Sequence, residues 1–295
     1  MFGCKSKQQA FVKYKTKYVV VVLIDGPRYS ETFGDSTFQH IPNLHAIQKR
    51  GCTFSNFYNN GVTYTLNGHT AITTGINEAI DNNGVELPMQ PGFLQLYLNK
   101  NKLPAHKGWI VASKDKIAVL ANCQNATYHN LDTPMTNCGN LGLFTGYRDD
   151  QTTFTNAMQI LKQEQPHIVF ISLKEPDNMA HAGSWQGYLS GLKQSDAYTD
   201  SIFKFLCTNS FYAGKTAFFV TNDHGRHLDG VADGFVSHGD NCHGCKHIML
   251  YANGPDFKSD FMISENYNQT DIHATVCELL GLEANGGRVI KEMFK

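Results

Sequence analysis

No apolar run in this chain approaches the ~20 residues that a bilayer-crossing helix needs; the longest relevant one is Tyr18–Ile24. The opening stretch, MFGCKSKQQAFVKYKTK, lacks the apolar centre of an export signal. The expectation is a cytoplasmic protein, or a periplasmic or secreted one whose leader lies outside this sequence. Charge of either sign is scarce. Only 17% of residues are charged, with 25 Lys and Arg against 26 Asp and Glu, giving a formal net charge of −1 and a pI of about 6.9. Such a chain has no broad field for duplex nucleic acid or an anionic membrane, and neither is an expected partner. Repeats, low-complexity tracts and linker-like segments are also missing. That points to one domain over residues 1–295, with 1–17 a flexible, lysine-bearing tail.

Eight cysteines permit four disulfides without requiring any. Cys123 and Cys138 share a loop-like stretch and are the expected pair. Cys242-His-Gly-Cys245 reads as a disulfide, half a metal site or two free thiols, and no second CxxC completes a zinc ribbon. Asn125-Ala-Thr and Asn268-Gln-Thr fit the short glycosylation pattern.

What is present is an alternation of apolar runs and helix-like segments. Tyr18–Ile24 (YVVVVLI) is β-branched without polar alternation, as in a parallel strand buried on both faces. Further strands are expected over 52–58, 109–113, 167–173, 216–221 and 247–252. Helices are expected over 41–50, 66–74, 92–100, 152–165, 185–207 and 271–280. Residues 122–150, rich in Asn, Thr and Gly, are expected to be a long loop or small cap. The pattern predicts an α/β fold: a single domain with a mostly parallel central sheet and helices on both faces. In such sheets the site lies past the carboxyl ends of the strands.

Polar residues with chemistry stand at those ends. Asp25 closes the first run, as a metal ligand or as a cap for the next segment. Asp177 and His181 follow the 167–173 run and are four apart, which puts both on one side of a helical turn. Capping by Asp177 with His181 on the surface is an equal alternative. Asp223-His224-Gly225 follows TAFFVT, with Gly allowing close backbone approach. His238 competes with His227, His243 and His247, and spacing alone does not rank it first. Thr65 precedes a helix, where the N-terminal N–H groups favour an alkoxide or phosphate. An ordinary capping threonine is the plain alternative, and Thr63 is a rival nucleophile.

Together these residues resemble the alkaline phosphatase superfamily, in its phosphodiesterase/nucleotide-pyrophosphatase-like and single-domain phosphatase branches. The resemblance runs from about Tyr18 to Leu282 through the strand-ending Asp, IPNLHAIQKRG, the Thr-Gly segment, PDNMAH, NDHG, SHGDN and NGPDF. It implies that the nucleophile stands ten positions before the Gly of Thr-Gly, which selects Thr65 before Gly75. It likewise selects His238, a His-Gly ahead of Gly254-Pro255. It implies two zinc ions, one on Asp25, Asp223 and His224 with the Thr65 hydroxyl, the other on Asp177, His181 and His238. Manganese or iron would also suit such donors. Lys114 and Lys116 fall where some members carry phosphate-contacting Lys and Arg; Lys116 would be a point charge in place of a fork. Asn77, Asn82 and Asn83 are candidates for a phosphate-binding Asn. Sulfatases of the superfamily convert a Cys or Ser nucleophile to formylglycine, and Thr65 is neither.

The implied activity is hydrolysis of small phosphate esters through a phosphothreonine on Thr65, leaning to monoesters. Phosphodiesters are the alternative, with Tyr128, Phe144 and Tyr147 lining a groove. A metal-binding module without catalysis is the reading from a different class.

Overall fold

The computed structural model describes residues 14–295. Most of the amino-terminal tail expectation therefore lies outside the described residues. Its last part does not hang free. The backbone N–H groups of Lys15 and Thr16 donate to the Asp256 carboxylate at 2.9 and 2.8 Å, and Tyr14 donates to Glu278.

Strands in chain order are β1 (Tyr18–Ile24), β2 (Cys52–Phe54), β3 (Phe57–Tyr58), β4 (Gly108–Ala112), β5 (Met135–Cys138) and β6 (Ile168–Leu173). They continue with β7 (Thr216–Thr221), β8 (His247–Ile248), β9 (Leu250–Asn253), β10 (Phe261–Ile263) and β11 (Tyr267–Asn268). Eight of them form one sheet in the order β10-β2-β9-β7-β1-β6-β4-β5. Only β9 runs against its neighbours, β2 and β7. β1 is central and pairs in parallel with β6 and β7 along almost its whole length.

The helices are α1 (Pro42–Ile47), α2 (Thr65–Thr74), α3 (Phe93–Asn101), α4 (Asp150–Gln163), α5 (Asp177–His181), α6 (Trp185–Thr208), α7 (His243–Lys246) and α8 (Gln269–Leu280). Successive residues of β1 point to opposite faces. Val19, Val21 and Leu23 pack beneath α2, α3 and α8, against Leu66, Phe93 and Val276. Val20, Val22 and Ile24 pack beneath α1, α4 and α6, against Leu44, Leu161 and Phe203. Both faces of the strand are covered, which is why it shows no polar alternation.

The predicted α/β fold with helices on both faces is the observed one. Several expectations differ in detail. The 52–58 run divides between sheets: β3 leaves the main sheet and pairs with β8 and β11 in a second, three-stranded one. The 247–252 run divides in the same way into β8 and β9. β5 forms an edge strand inside the stretch expected to be a loop, in register with β4. Cys123 and Cys138 are both buried and unbridged; Cys138 lies instead against the Ile110 carbonyl. Asn268 caps α8 through a reciprocal box with Asp271, so its amide is engaged in the fold. No helix among the described residues is long and apolar enough to cross a membrane.

Candidate active site

Helix α2 is polar in composition yet buried from Thr65 to Thr74. Its hydroxyls are accommodated locally, with Thr73 donating to the His69 carbonyl at 2.9 Å and Thr74 to the Thr70 carbonyl at 2.8 Å. Gly68 lets the helix touch the exit of β7: a Cβ there would lie 2.4 Å from the Asp223 carbonyl oxygen. Thr65 is the first residue of α2. Tyr64 precedes it as the cap residue, so Thr65 is not an ordinary capping threonine. Thr63, its rival, donates to the Asp240 carbonyl at 2.8 Å and is held in a loop.

Asp25 leaves β1, Asp177 opens α5 after β6, and Asp223 and His224 follow β7, all at the carboxyl ends of parallel strands. Two clusters result. Asp25, Asp223 and His224 are fully buried, and Asp177, His181 and His238 lie beside them with His181 open to solvent. In each cluster one donor atom per residue lies within 4.8 Å of the others. His224 Nε2 is 3.5 Å from Asp25 Oδ1 and 3.4 Å from Asp223 Oδ2. His181 Nε2 is 3.3 Å from Asp177 Oδ1 and 3.1 Å from His238 Nε2. The rings of His224 and His238 stack with centroids 3.6 Å apart, which joins the clusters.

The donor atoms suit cations. Asp25 Oδ1, Asp223 Oδ2 and His224 Nε2 are buried without hydrogen-bond partners. Orphaned groups of this kind are costly unless something positive sits among them. His224 Nδ1 bonds to the Gly225 carbonyl at 2.9 Å and His238 Nδ1 to the Thr63 carbonyl at 2.7 Å. A carbonyl only accepts, so each Nδ1 carries the proton and each Nε2 lone pair faces the cluster. Burial holds both imidazoles below their usual range, hence neutral.

Lys114, just past β4, ties the clusters together. Its buried Nζ lies 2.8 Å from Asp25 Oδ2 and 2.7 Å from Asp177 Oδ2, and 3.3 Å from Thr65 Oγ1. Burial opposes its charge, but Asp177, Asp25 and Asp223 outweigh burial and hold the ammonium above its usual range. Burial and then Asp223 push the Asp25 carboxyl well up, against the pull of Lys114. Asp177 is also buried, yet Lys114, His181 and Arg226 keep it well below the usual carboxylate range.

Lys116 does not meet Thr65. Its Nζ donates to the Asn82 backbone and side-chain oxygens at 2.9 and 3.0 Å, and burial followed by the charge of Lys114 lowers it to about 8. Asn82 Oδ1 also accepts from the Leu66 N–H at 2.9 Å, one residue past Thr65. Of the three candidate asparagines, Asn82 is therefore the one brought to the Thr65 end of α2. Asn83 is engaged with Asp81, and Asn77 lies against Gly61.

A family model described as Sulfatase matches residues 17–282. The chain belongs to the sulfatase family. It is thereby a member of the alkaline phosphatase superfamily, whose enzymes are hydrolases that use divalent metal ions. No curated protein sequence matches this sulfatase-family chain. Solved structures do. It resembles the murine ectonucleotide pyrophosphatase/phosphodiesterase 5 at 16% identity and a TM-score of 0.67, over 94% of this chain and 100% of that one. The same murine protein is known in an inactive threonine-to-alanine form in complex with AMP. An alkaline phosphatase superfamily protein from Vibrio parahaemolyticus aligns at 17% identity and a TM-score of 0.66, over 97% of this chain and 72% of that one. The phosphonate monoester hydrolase of Agrobacterium radiobacter aligns at 13% identity and a TM-score of 0.63, over 94% of this chain and 77% of that one.

Two residues of this sulfatase-family site were not foreseen from sequence. Arg226 is fully buried and donates to Asp177 and to the Val236 carbonyl. His69 bonds the Thr65 carbonyl at 2.8 Å and sits 3.4 Å from Asp223 Oδ2. A histidine four residues along α2 from Thr65 was the available signal for the second. Nothing in the local sequence marks the burial of Arg226.

Proposed function

We propose that this chain hydrolyses phosphate esters, with Thr65 as nucleophile. The observation that carries the reading is a single buried ammonium, Lys114, in contact with Thr65 Oγ1 and with one carboxylate from each donor cluster. Asp25, Asp223 and His224 would hold one divalent ion and Asp177, His181 and His238 the other, with zinc favoured by imidazole and carboxylate donors. When bound, such ions supply positive charge to an attacking and a departing oxygen.

The chain's own residues do the rest. Thr65 gives up its proton to water and attacks phosphorus in line, the ester P–O bond breaks, the departing alkoxide takes a proton from water and leaves as the alcohol, and a phosphothreonine forms. Water then breaks the Thr65–phosphorus bond and frees phosphate. Lys114 offsets charge on the phosphoryl oxygens. Lys116 holds Asn82, whose amide stands beside the first turn of α2. Lys114, then His181 and Arg226, keep Asp177 ionised, and the carbonyls of Gly225 and Thr63 fix the tautomers of His224 and His238.

Threonine in place of Cys or Ser speaks for phosphate over sulfate esters, because formylglycine cannot form from it. The inactive threonine-to-alanine form of the murine neighbour supports the same assignment. The Lys114 ammonium beside Thr65 favours a dianionic monoester. A second reading, phosphodiester hydrolysis, is favoured by the part-exposed rings of Tyr64 and Tyr147, the latter 5.9 Å from Lys114 Nζ. Either could carry the second substituent of a diester.

The test compares p-nitrophenyl phosphate, bis-p-nitrophenyl phosphate and p-nitrophenyl sulfate on metal-stripped and zinc-restored enzyme. Zinc-dependent turnover of the monoester should dominate and fall about 1,000-fold or more in Thr65→Ala. Preference for the diester would move the assignment to a phosphodiesterase. Preference for the sulfate would refute it. Zinc bound without turnover of any ester would favour a non-catalytic metal-binding module.

A further inference from the structure

The Cys242-His-Gly-Cys245 motif has partners that its sequence neighbourhood does not reveal. The loop after β7 turns back so that His227 and Asp240 meet the two thiols, and one donor atom from each of the four lies within 4.8 Å of the others. Tetrahedral zinc, with bonds of about 2.0–2.3 Å, places its ligand atoms roughly 3–4 Å apart.

The histidine is set for a cation. His227 Nδ1 lies 3.0 Å from the Asp233 carboxylate and 3.3 Å from Ser237 Oγ. Asp233 accepts the Nδ1 proton, so the Nε2 lone pair turns inward. Nε2 is buried and makes no hydrogen bond, although Asp240 Oδ2 is only 3.2 Å away. A lone pair facing a carboxylate is repulsive unless something positive lies between them. A carboxylate behind a histidine whose other nitrogen faces two thiols is the arrangement that orients zinc-binding imidazoles.

The remaining atoms agree. Asp240 Oδ1 accepts the Cys242 N–H at 2.9 Å, which leaves Oδ2 for the cluster. Cys245 is buried, while Cys242 and the half-exposed Asp240 leave an entry from solvent.

We propose that His227, Asp240, Cys242 and Cys245 form a third metal site, of zinc type, separate from the two clusters beside Thr65. Two thiolates, an imidazole and a carboxylate are a zinc donor set. The site clamps the loop that carries His238 at both ends, with His227 near its start and the CxxC at its close. The loop is already tied to the nucleophile's segment, since Thr63 bonds both the Asp240 carbonyl and His238 Nδ1. Filling the third site would therefore steady His238 without contact with substrate.

The test uses the full chain, stripped of metal under reducing conditions and titrated with cobalt(II). The clusters beside Thr65 contain only oxygen and nitrogen donors, so a thiolate-to-cobalt charge-transfer band reports the third site alone. The expected result is one equivalent of cobalt giving that band. It should be lost in Cys245→Ser and in Cys242→Ser, and kept in Cys207→Ser. Zinc should displace it and abolish labelling of Cys242 by a thiol reagent. The labelling arm uses unmutated protein, so it decides the matter even if a variant fails to fold. Absence of the band with Cys242 labelled equally with and without zinc would overturn the proposal. So would a band that survives Cys245→Ser, or a Cys242–Cys245 disulfide mapped in freshly isolated protein.

Discussion

Lys114 is the residue on which the site's electrostatics turn. It faces three buried carboxylates, of Asp25, Asp177 and Asp223, of which Asp177 also takes the guanidinium of Arg226. Removing one partner from a buried ion cluster costs about 3–5 kcal/mol, because the remaining charges are left unpaired. Lys114→Met is therefore expected to destabilise the metal-free protein by about that much and the zinc-loaded protein by much less. Urea denaturation of both forms checks this; equal stability of metal-free variant and wild type would contradict it. The same variant should lose roughly 100–1,000-fold in turnover of a phosphate ester. At this scale the sequence was informative where a polar residue ends an apolar run, as with Asp25, Asp177 and Asp223. It was uninformative for Arg226, whose buried guanidinium is held by the Phe235 and Val236 carbonyls of the following loop and by Asp177 from another part of the fold. Lys114 and Lys116 were reached through resemblance, and the structure then separated them: one meets Thr65, the other meets Asn82.

Helix α2 is the element that presents Thr65, the proposed nucleophile, and two contacts set its place. The first is Gly68 against the Asp223 carbonyl, where a Cβ would sit 2.4 Å from the oxygen. Gly68→Ala should push the helix off the β7 exit, lowering stability by about 1–3 kcal/mol. Turnover should fall about 100-fold, since a small displacement of a reacting group is enough. Unchanged kinetics would show that α2 does not need this closeness. The second contact is His273 on α8, whose Nδ1 bonds the Thr73 carbonyl at 2.7 Å while Nε2 accepts the Asn285 N–H. Burial lowers its pKa from 6.5 to about 4. Between those values the unfolded chain binds the proton and the folded one does not, so stability falls as pH falls. The loss amounts to about 3 kcal/mol by pH ~4. His273→Asn, which keeps an N–H for Thr73, should flatten this part of the profile; denaturation midpoints at pH ~7 and ~4.5 compare the two. Long runs such as β1 were legible because one period extends over many residues. β3 and β8 were not, because two-residue strands carry no period and a turn moves them to the second sheet.

At the scale of the molecule, the parallel sheet brings residues from Asp25 to His238 to one edge, and that convergence is the basis of the functional reading. The order of strands could not be read from the chain. The alternation of apolar runs and helices did imply that strand-end residues would meet, and they do. Family membership establishes a hydrolase of the alkaline phosphatase superfamily, and the solved structures share its fold; in the proposed function, Thr65 is what favours phosphate over sulfate esters. The most direct measurement is peptide mapping by mass spectrometry of zinc-loaded enzyme quenched in acid during turnover of p-nitrophenyl phosphate. One phosphoryl group is expected on Thr65, absent from metal-stripped enzyme and from Thr65→Ala. Zinc-dependent turnover that persists undiminished in Thr65→Ala, or a phosphoryl group on any other residue, would contradict it.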